Sequence, residues 1–418
     1  MTLAYDAEQN FTCRSCGECC RRAFDIVVTE AERQRLVASE AGRWFRETAT
    51  SEPGAASSPF EFVGGGLLRI RKRPDGVCGF LSAGNRCRIH EELGGAEKPL
   101  TCQMFPFSFD AVSGRTHLTS SFCCPTVVRN DGQPIEAQEK EVGSLARVWR
   151  RAKPPSDRAL EWVRGVPLDR ELLESMRWVF RRLLDLHQPT FSLRRNLRRV
   201  AALLDDWTRP RVLKLAPDKL EEYVSLTGEF AVTKPVDPPA EATRLARFLF
   251  RGFFFAALAP WATRQAKTDS SILLRLHLLH LLLHVHGMAP AFRGIRFRRA
   301  LRQSLNLDAE PFFGPSYHVL RAGIENLGSG RRPVVEEISL SVAHLLVAEH
   351  LFLARTDGGD GEEAWVRAIM DAHDVSHADP ASAFGRFLVA LAAPPSPLHL
   401  FGARGPEGSR PAPVTSLA

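Results

Sequence analysis

Nine cysteines crowd into the first 124 of 418 residues, at Cys13, Cys16, Cys19, Cys20, Cys78, Cys87, Cys102, Cys123 and Cys124, and residues 125–418 contain none. Such segregation constrains the chain more than any other feature, because it ties one function to one end. The chain opens on MTLAYDAEQN, which has acidic residues and no apolar run of signal-peptide length, so the expected compartment is the reducing cytoplasm. There, clustered cysteines read as metal ligands before they read as disulfides. A hydrophobic content of 44% with 25% charged residues is that of a globular protein that builds its core without disulfides.

The run CRSCGECC places thiolates at Cys13, Cys16, Cys19 and Cys20. A CxxC spacing lets one tight turn aim two sulfurs at one metal, and Gly17 can adopt the positive φ that such a knuckle uses. Cys13, Cys16 and Cys19 therefore form one expected ligand set, whereas adjacent thiols such as Cys20, Cys123 and Cys124 are expected to diverge. CxxCxxC also matches the opening of a bacterial ferredoxin ligand run, and Cys124 precedes Pro125 as the last ligand of such a run does. This leans toward a 4Fe-4S cluster, with zinc kept open. Nine sulfurs leave five over after one four-ligand site and one over after two. His90 and His117 are minor candidate ligands, more often supporting or surface residues.

The elements FTCRSCGECC (Phe11 to Cys20), CGFL (Cys78 to Leu81), CRIHE (Cys87 to Glu91) and PLTCQMFPF (Pro99 to Phe107) resemble the YkgJ-type cysteine-cluster family, described as a zinc- or iron-chelating domain. The resemblance covers the first quarter to third of the chain and implies metal chelation with an undefined biochemical role. A cysteine-cluster domain followed by a long helical region is also similar to flagellin lysine N-methylases. That similarity implies S-adenosylmethionine, an iron-sulfur cluster and a protein lysine substrate, and no motif assigns a residue to the methyl donor.

The fold class expected is mainly α: a small metal-stapled α+β domain over residues 1–130, a larger all-helical domain over 141–393, and a disordered tail, 394–418, rich in proline, glycine and serine. Thr29 to Glu47 reads as one helix opened by a Thr29/Glu32 capping box. FEFVGGGLLRIRKRPDG reads as two strands around a glycine turn, and FSFDAVSGRTHL as a hairpin about Ser113 and Gly114. The glycines of FVGGGLLRI lead into a strand rather than a helix, so they are a turn and not a nucleotide loop. DGQPIEAQEK is expected to be a linker. Helices are expected from Val142 to Arg151, Arg170 to Leu186, Leu193 to Trp207, Ala242 to Ala259, Ser270 to His286, Ile338 to Arg355 and Ala364 to His373.

The remaining constellations have ordinary explanations. His277, His280 and His284 share a helix face but sit among leucines, and His373 and His377 adjoin an expected helix end, so both sets read as structural. Phe248 to Trp261 reads as core. Lys and Arg outnumber Asp and Glu 14 to 6 over residues 147–199, and LRRNLRRV (Leu193 to Val200) and FRGIRFRRALR (Phe292 to Arg302) are basic. Without a nucleic-acid-binding motif, these stretches read as solvated faces, and nucleic acid is not the expected partner. A metal ion or cluster is the expected ligand, with a protein partner on the helical region. No stretch has the length and apolarity of a membrane span.

Overall fold

A computed structural model describes residues 3–22, 25–49, 58–62, 68–73, 75–112, 114–152, 159–188, 191–233, 305–329, 332–354 and 361–376. Its contacts divide the chain into two compact units: a cysteine unit of residues 7–109 and 118–154, and a helical unit of residues 1–6, 110–117 and 155–418. The described residues are mainly helical, with all eight described strands before residue 135.

The chain begins with β1 (Leu3–Ala4), which pairs in parallel with the later strand that carries Thr116 and His117. β2 (Asn10–Phe11) and a single turn, α1 (Glu18–Arg21), follow. β3 (Val27–Val28), β4 (Phe60–Phe62) and β5 (Leu68–Ile70) form an antiparallel sheet in the order β3-β5-β4. The two strands expected around the glycine turn are β4 and β5, in register from Phe60↔Ile70 to Phe62↔Leu68. Between β3 and β4 the expected single helix is two, α2 (Glu30–Ala38) and α3 (Glu40–Ala49). Thr29 caps α2 in the expected box: its hydroxyl accepts from the Glu32 N–H while the Glu32 carboxylate accepts from the Thr29 N–H at 2.7 Å. The break falls at Ser39, whose backbone is extended and whose hydroxyl accepts from the Gly42 N–H. This kink lets Leu36 and Phe45 enter the same core.

Past β5 come α4 (Arg88–Leu93), α5 (Leu100–Met104), the hairpin β6 (Phe107–Val112) and β7 (Arg115–Ser120), and α6 (Pro125–Arg129). The hairpin was expected, with Gly114 at φ +75° in its turn. The stretch expected to be a linker is instead folded: β8 (Gln133–Pro134) pairs antiparallel with β2 and leads into α7 (Glu139–Ala152). The Gln138 amide fixes this return by donating to the carbonyls of Phe11 and Gln133.

The helical unit contains α8 (Arg170–Leu183), α9 (Leu193–Trp207), α10 (Pro217–Thr233), α11 (Phe313–Glu325), α12 (Val334–Ala354) and α13 (Gly361–Ser376). α10 and α11 were not expected from the sequence, and Ala242 to Ala259, Ser270 to His286 and Phe292 to Arg302 lie outside the described residues. Two aromatic centres hold the packing. Trp207 meets Trp162 at 5.9 Å and Phe180 at 5.6 Å, while Trp365 meets Phe312 at 5.7 Å and Phe352 at 5.8 Å. The basic face of α9 is not simply solvated. Arg194 pairs with the buried Glu349 at 2.5 Å, and Arg199 is buried beside Asn196.

Candidate metal centre

All nine cysteines lie in the cysteine unit, whereas His117 belongs to the helical unit. The sulfurs gather because backbone hydrogen bonds tie their segments together. Gly17, at φ +75°, turns the chain so that the Cys20 N–H donates to the Gly17 carbonyl and α1 begins. The Cys20 carbonyl then accepts from the Cys78 N–H at 2.8 Å. Cys78 bridges Lys72, and Cys87 bridges Leu81, whose N–H donates to the Cys78 carbonyl. The sulfur-bearing loops are thus laced to α1.

The result is a thiol cluster set into an apolar core. Cys20 and Cys78 are buried among Leu36, Phe45, Phe80, Leu81 and Ile89, with Cys19, Cys87 and Cys102 packed against them. Cys19 Sγ and Cys20 Sγ stand 4.0 Å apart, and Cys78 and Cys87 are near enough to the Cys20 thiol to perturb its ionisation. The expectation that the adjacent thiols would diverge fails here. Successive residues of a helical turn differ by about 100°, so Cys19 and Cys20 flank one core-facing edge of α1. Among the described residues no three His, Cys, Asp or Glu side chains stand in the arrangement that grips a bare ion.

The electrostatics separate donors from acceptors within this cluster. The neighbouring Cys20 thiol lowers Cys87 to about 6 and Cys19 to about 7, and it also lowers Cys78. Cys20 is pushed far upward by those three sulfurs and by burial. Burial raises Cys102 well above the ordinary thiol value, reinforced by the neighbouring Cys78, Cys19 and Cys87 charges. Backbone N–H groups of Ile89 and His90 donate to the Cys87 sulfur, and that of Phe80 to Cys78. Lys98 favours thiolates at Cys19 and Cys87, and Lys72 at Cys78. The two lysines were not singled out from the sequence, although Lys98 stands four residues before Cys102 in KPLTC.

The donor chemistry suits a divalent cation, although the side chains as placed do not encircle one. Four thiolates close together repel one another, and an ion among them replaces that repulsion with attraction. Around zinc, with Zn–S near 2.3 Å, tetrahedral sulfurs lie about 3.8 Å apart. The Cys19–Cys20 separation of 4.0 Å is close to that edge.

The other four cysteines sit elsewhere in the same unit. Cys13 and Cys16 are exposed, while Cys123 and Cys124 are buried at the start of α6. The Cys16 sulfur accepts from the Glu18 N–H, and Cys124 accepts from the N–H groups of Val127 and Thr126. Burial raises both thiols, Cys124 to about 11. His90 lies in α4, with its Nδ1 enclosed and without a hydrogen bond. Its basicity is lowered by burial and by Lys98. That of His117 is lowered by burial and by Arg177, Arg115 and Arg170. His373 is buried, its ring 5.5 Å from that of His344, within α13 rather than beyond its end. His277, His280, His284 and His377 lie outside the described residues.

The cysteine unit is thus a buried thiol cluster on an α+β frame. Residues 12–136 match the CxxCxxCC family, whose description is "putative zinc- or iron-chelating domain" and which is the YkgJ-type family. The match supports metal chelation and does not extend to the methylase activity implied by the second resemblance. No curated protein and no solved structure matches the chain. No helix among the described residues is long and apolar enough to cross a membrane.

Proposed function

We propose that the cysteine unit binds a single zinc or iron ion through Cys19, Cys20, Cys78 and Cys87, and that this ion closes its core. The observation that carries the reading is the gathering of Cys19, Cys20, Cys78 and Cys87 at one core, with the Cys19 and Cys20 sulfurs 4.0 Å apart. That spacing suits four thiolates around one ion, whereas a cubane cluster places its own iron and sulfide atoms between the cysteine sulfurs. When bound, the ion supplies positive charge that holds four thiolates together. The chain's own groups prepare for it: Lys98 and Lys72 favour ionisation, backbone N–H groups orient the sulfurs, and Leu36, Phe45 and Phe80 exclude water. Cys102 stands beside the set as a fifth, protonated thiol. In this reading residues 1–130 form the chelating domain and the helical region is its scaffold or partner surface.

Anaerobic purification followed by zinc, iron and acid-labile sulfide analysis tests this reading. The expected result is zinc or iron without stoichiometric sulfide, with Cys78→Ser and Cys87→Ser each lowering metal content. Stoichiometric sulfide would overturn the single ion, and a folded protein that takes up neither metal would overturn chelation itself.

A further inference from the structure

We propose that metal bound in the cysteine unit fastens a strap within the helical unit. Residues 3–6, held by the tip of the β6–β7 hairpin and by a buried ion pair from Asp6 to Arg321, are docked when the thiol cluster is loaded and released when it is empty. This rests on the chelation proposed above and makes the helical unit the part of the chain that responds to metal. The path follows from how the chain is divided. Residues 1–6 and 110–117 belong to the helical unit, whereas residues 7–109 and 118–154 belong to the cysteine unit. Two continuous pieces of chain therefore have one end in each unit. The first runs from β1 into β2. The second is the β6–β7 hairpin, whose base is residues 107–109 with 118–120 and whose tip is residues 110–117.

These two pieces are joined to each other at both ends. At the base, within the cysteine unit, the Phe11 ring meets that of Phe107 edge-on at 5.2 Å. The Gln9 carbonyl accepts from the Ile135 N–H at 2.9 Å, and the Asn10 N–H donates to the Asn130 side chain at 2.7 Å. The same chain runs on through Gly17 into α1, which carries Cys19 and Cys20. At the tip, within the helical unit, Leu3 pairs with Thr116 and Ala4 with His117. Asp6 then reaches Arg321 of α11 at 2.9 Å, and that guanidinium stands 3.4 Å from His318 Nδ1. Asp6, Arg321 and His318 are only 3%, 8% and 4% exposed. Separating a buried pair leaves charge uncompensated, so the strap is either seated or wholly released rather than slack. The state of the cysteine unit decides between the two, because folding around thiolates is coupled to their metal. An ordered base fixes the chain directly after Asp6 and so confines residues 3–6 beside β7. With a loose base, two backbone pairings and one ion pair must offset the whole entropy of ordering the strap.

Hydrogen exchange of the full chain, stripped of metal by a chelator and then loaded with zinc, tests the strap. With zinc at roughly a hundredfold over its Kd, full coupling slows exchange of amides 3–6 and 115–117 by about a hundredfold, the factor by which the loaded state is favoured. Amides of α12 and α13 are expected to exchange alike in both states. Asp6→Asn should bind the same amount of zinc and lose the gain at residues 3–6. The unmutated comparison needs no variant and so does not depend on a variant's folding. Zinc uptake with unchanged exchange at residues 3–6, a gain of equal size throughout the helical unit, or a gain that survives in Asp6→Asn would overturn the strap and leave chelation standing. A folded protein that takes up no zinc or iron would overturn both.

Discussion

Gly17 turns the chain into α1, and the cost of filling it follows from the structure. Its φ of +75° lies in the left-handed region, which costs a residue with a Cβ about 1–2 kcal/mol. The added Cβ would also stand 2.9 Å from the Asn85 carbonyl oxygen and 3.1 Å from a Leu81 methyl. The carbonyl cannot easily give way, because Asn85 closes a turn through its N–H to Ser82 and its side chain holds Arg21. Such overpacking adds about 1–3 kcal/mol. Gly76 supplies the control, since its φ is +82° but nothing lies within 4 Å of its added Cβ. Gly17→Ala is expected to lose about 3 kcal/mol and Gly76→Ala about 1 kcal/mol, working from these ranges. The gap of about 2 kcal/mol corresponds to roughly 4–8 °C in Tm for a unit of about 150 residues. Calorimetry of the metal-loaded proteins measures it, and metal content should fall only for Gly17→Ala. Equal shifts for the two variants would refute the packing of Gly17 against the 82–85 turn.

Phe80 is fully buried and meets Phe45 at 5.5 Å and Phe60 at 6.4 Å, so Phe80→Ala should cost about 3–5 kcal/mol in denaturant unfolding. A loss below about 1 kcal/mol would show that this ring does not anchor the core. Arg194→Met removes the ion pair to the buried Glu349 carboxylate, which also accepts from the Leu305 N–H, and should destabilise the helical unit by about 3–5 kcal/mol. The double variant Arg194→Met/Glu349→Leu should recover much of that, and no recovery would contradict the assignment to this ion pair. Burial lifts the half-buried Glu337 carboxyl from 4.5 to about 8, against the opposing Gly328 N–H, Ser329 hydroxyl and Arg332. Between those values the folded chain carries one proton more than the unfolded chain, so stability falls as pH rises, by on the order of 1 kcal/mol per pH unit. Glu337→Gln should flatten the slope of urea midpoints from pH 5 to 8, and an unchanged slope would exclude Glu337 as its source.

Local signals in the sequence transferred to the fold where the chemistry was local. The Thr29/Glu32 capping box closes as expected, because both of its bonds lie within one turn. The Gly114 hairpin and the β4–β5 pair follow from alternation and turn residues. The break at Ser39 was not legible: it is imposed by the need to bring Leu36 and Phe45 into one core. The pairing of β2 with β8 joins residues more than 120 positions apart, so DGQPIEAQEK looked like a linker when read alone. α10 escaped notice because Glu221, Glu222, Thr227 and Gly228 interrupt its apolar pattern. Gly228 is there for contact, since a Cβ would stand 2.2 Å from a Val179 methyl.

The cysteines of the candidate site were legible in the sequence, and spacing alone puts Cys13, Cys16 and Cys19 together because CxxCxxC treats a stretch of chain as one continuous knuckle. What spacing does not carry is the distant segment to which each half of the run is bonded. Residues 10–14 are held by residues 130–134, while Cys20 is held by Cys78. Gly17 makes the change of direction possible, as its left-handed backbone ends one association and starts the other. Cys19 and Cys20 then both meet the core because a helical turn presents adjacent side chains on either side of one edge. Closely spaced thiols are thus held by different distant segments when a left-handed glycine stands between them.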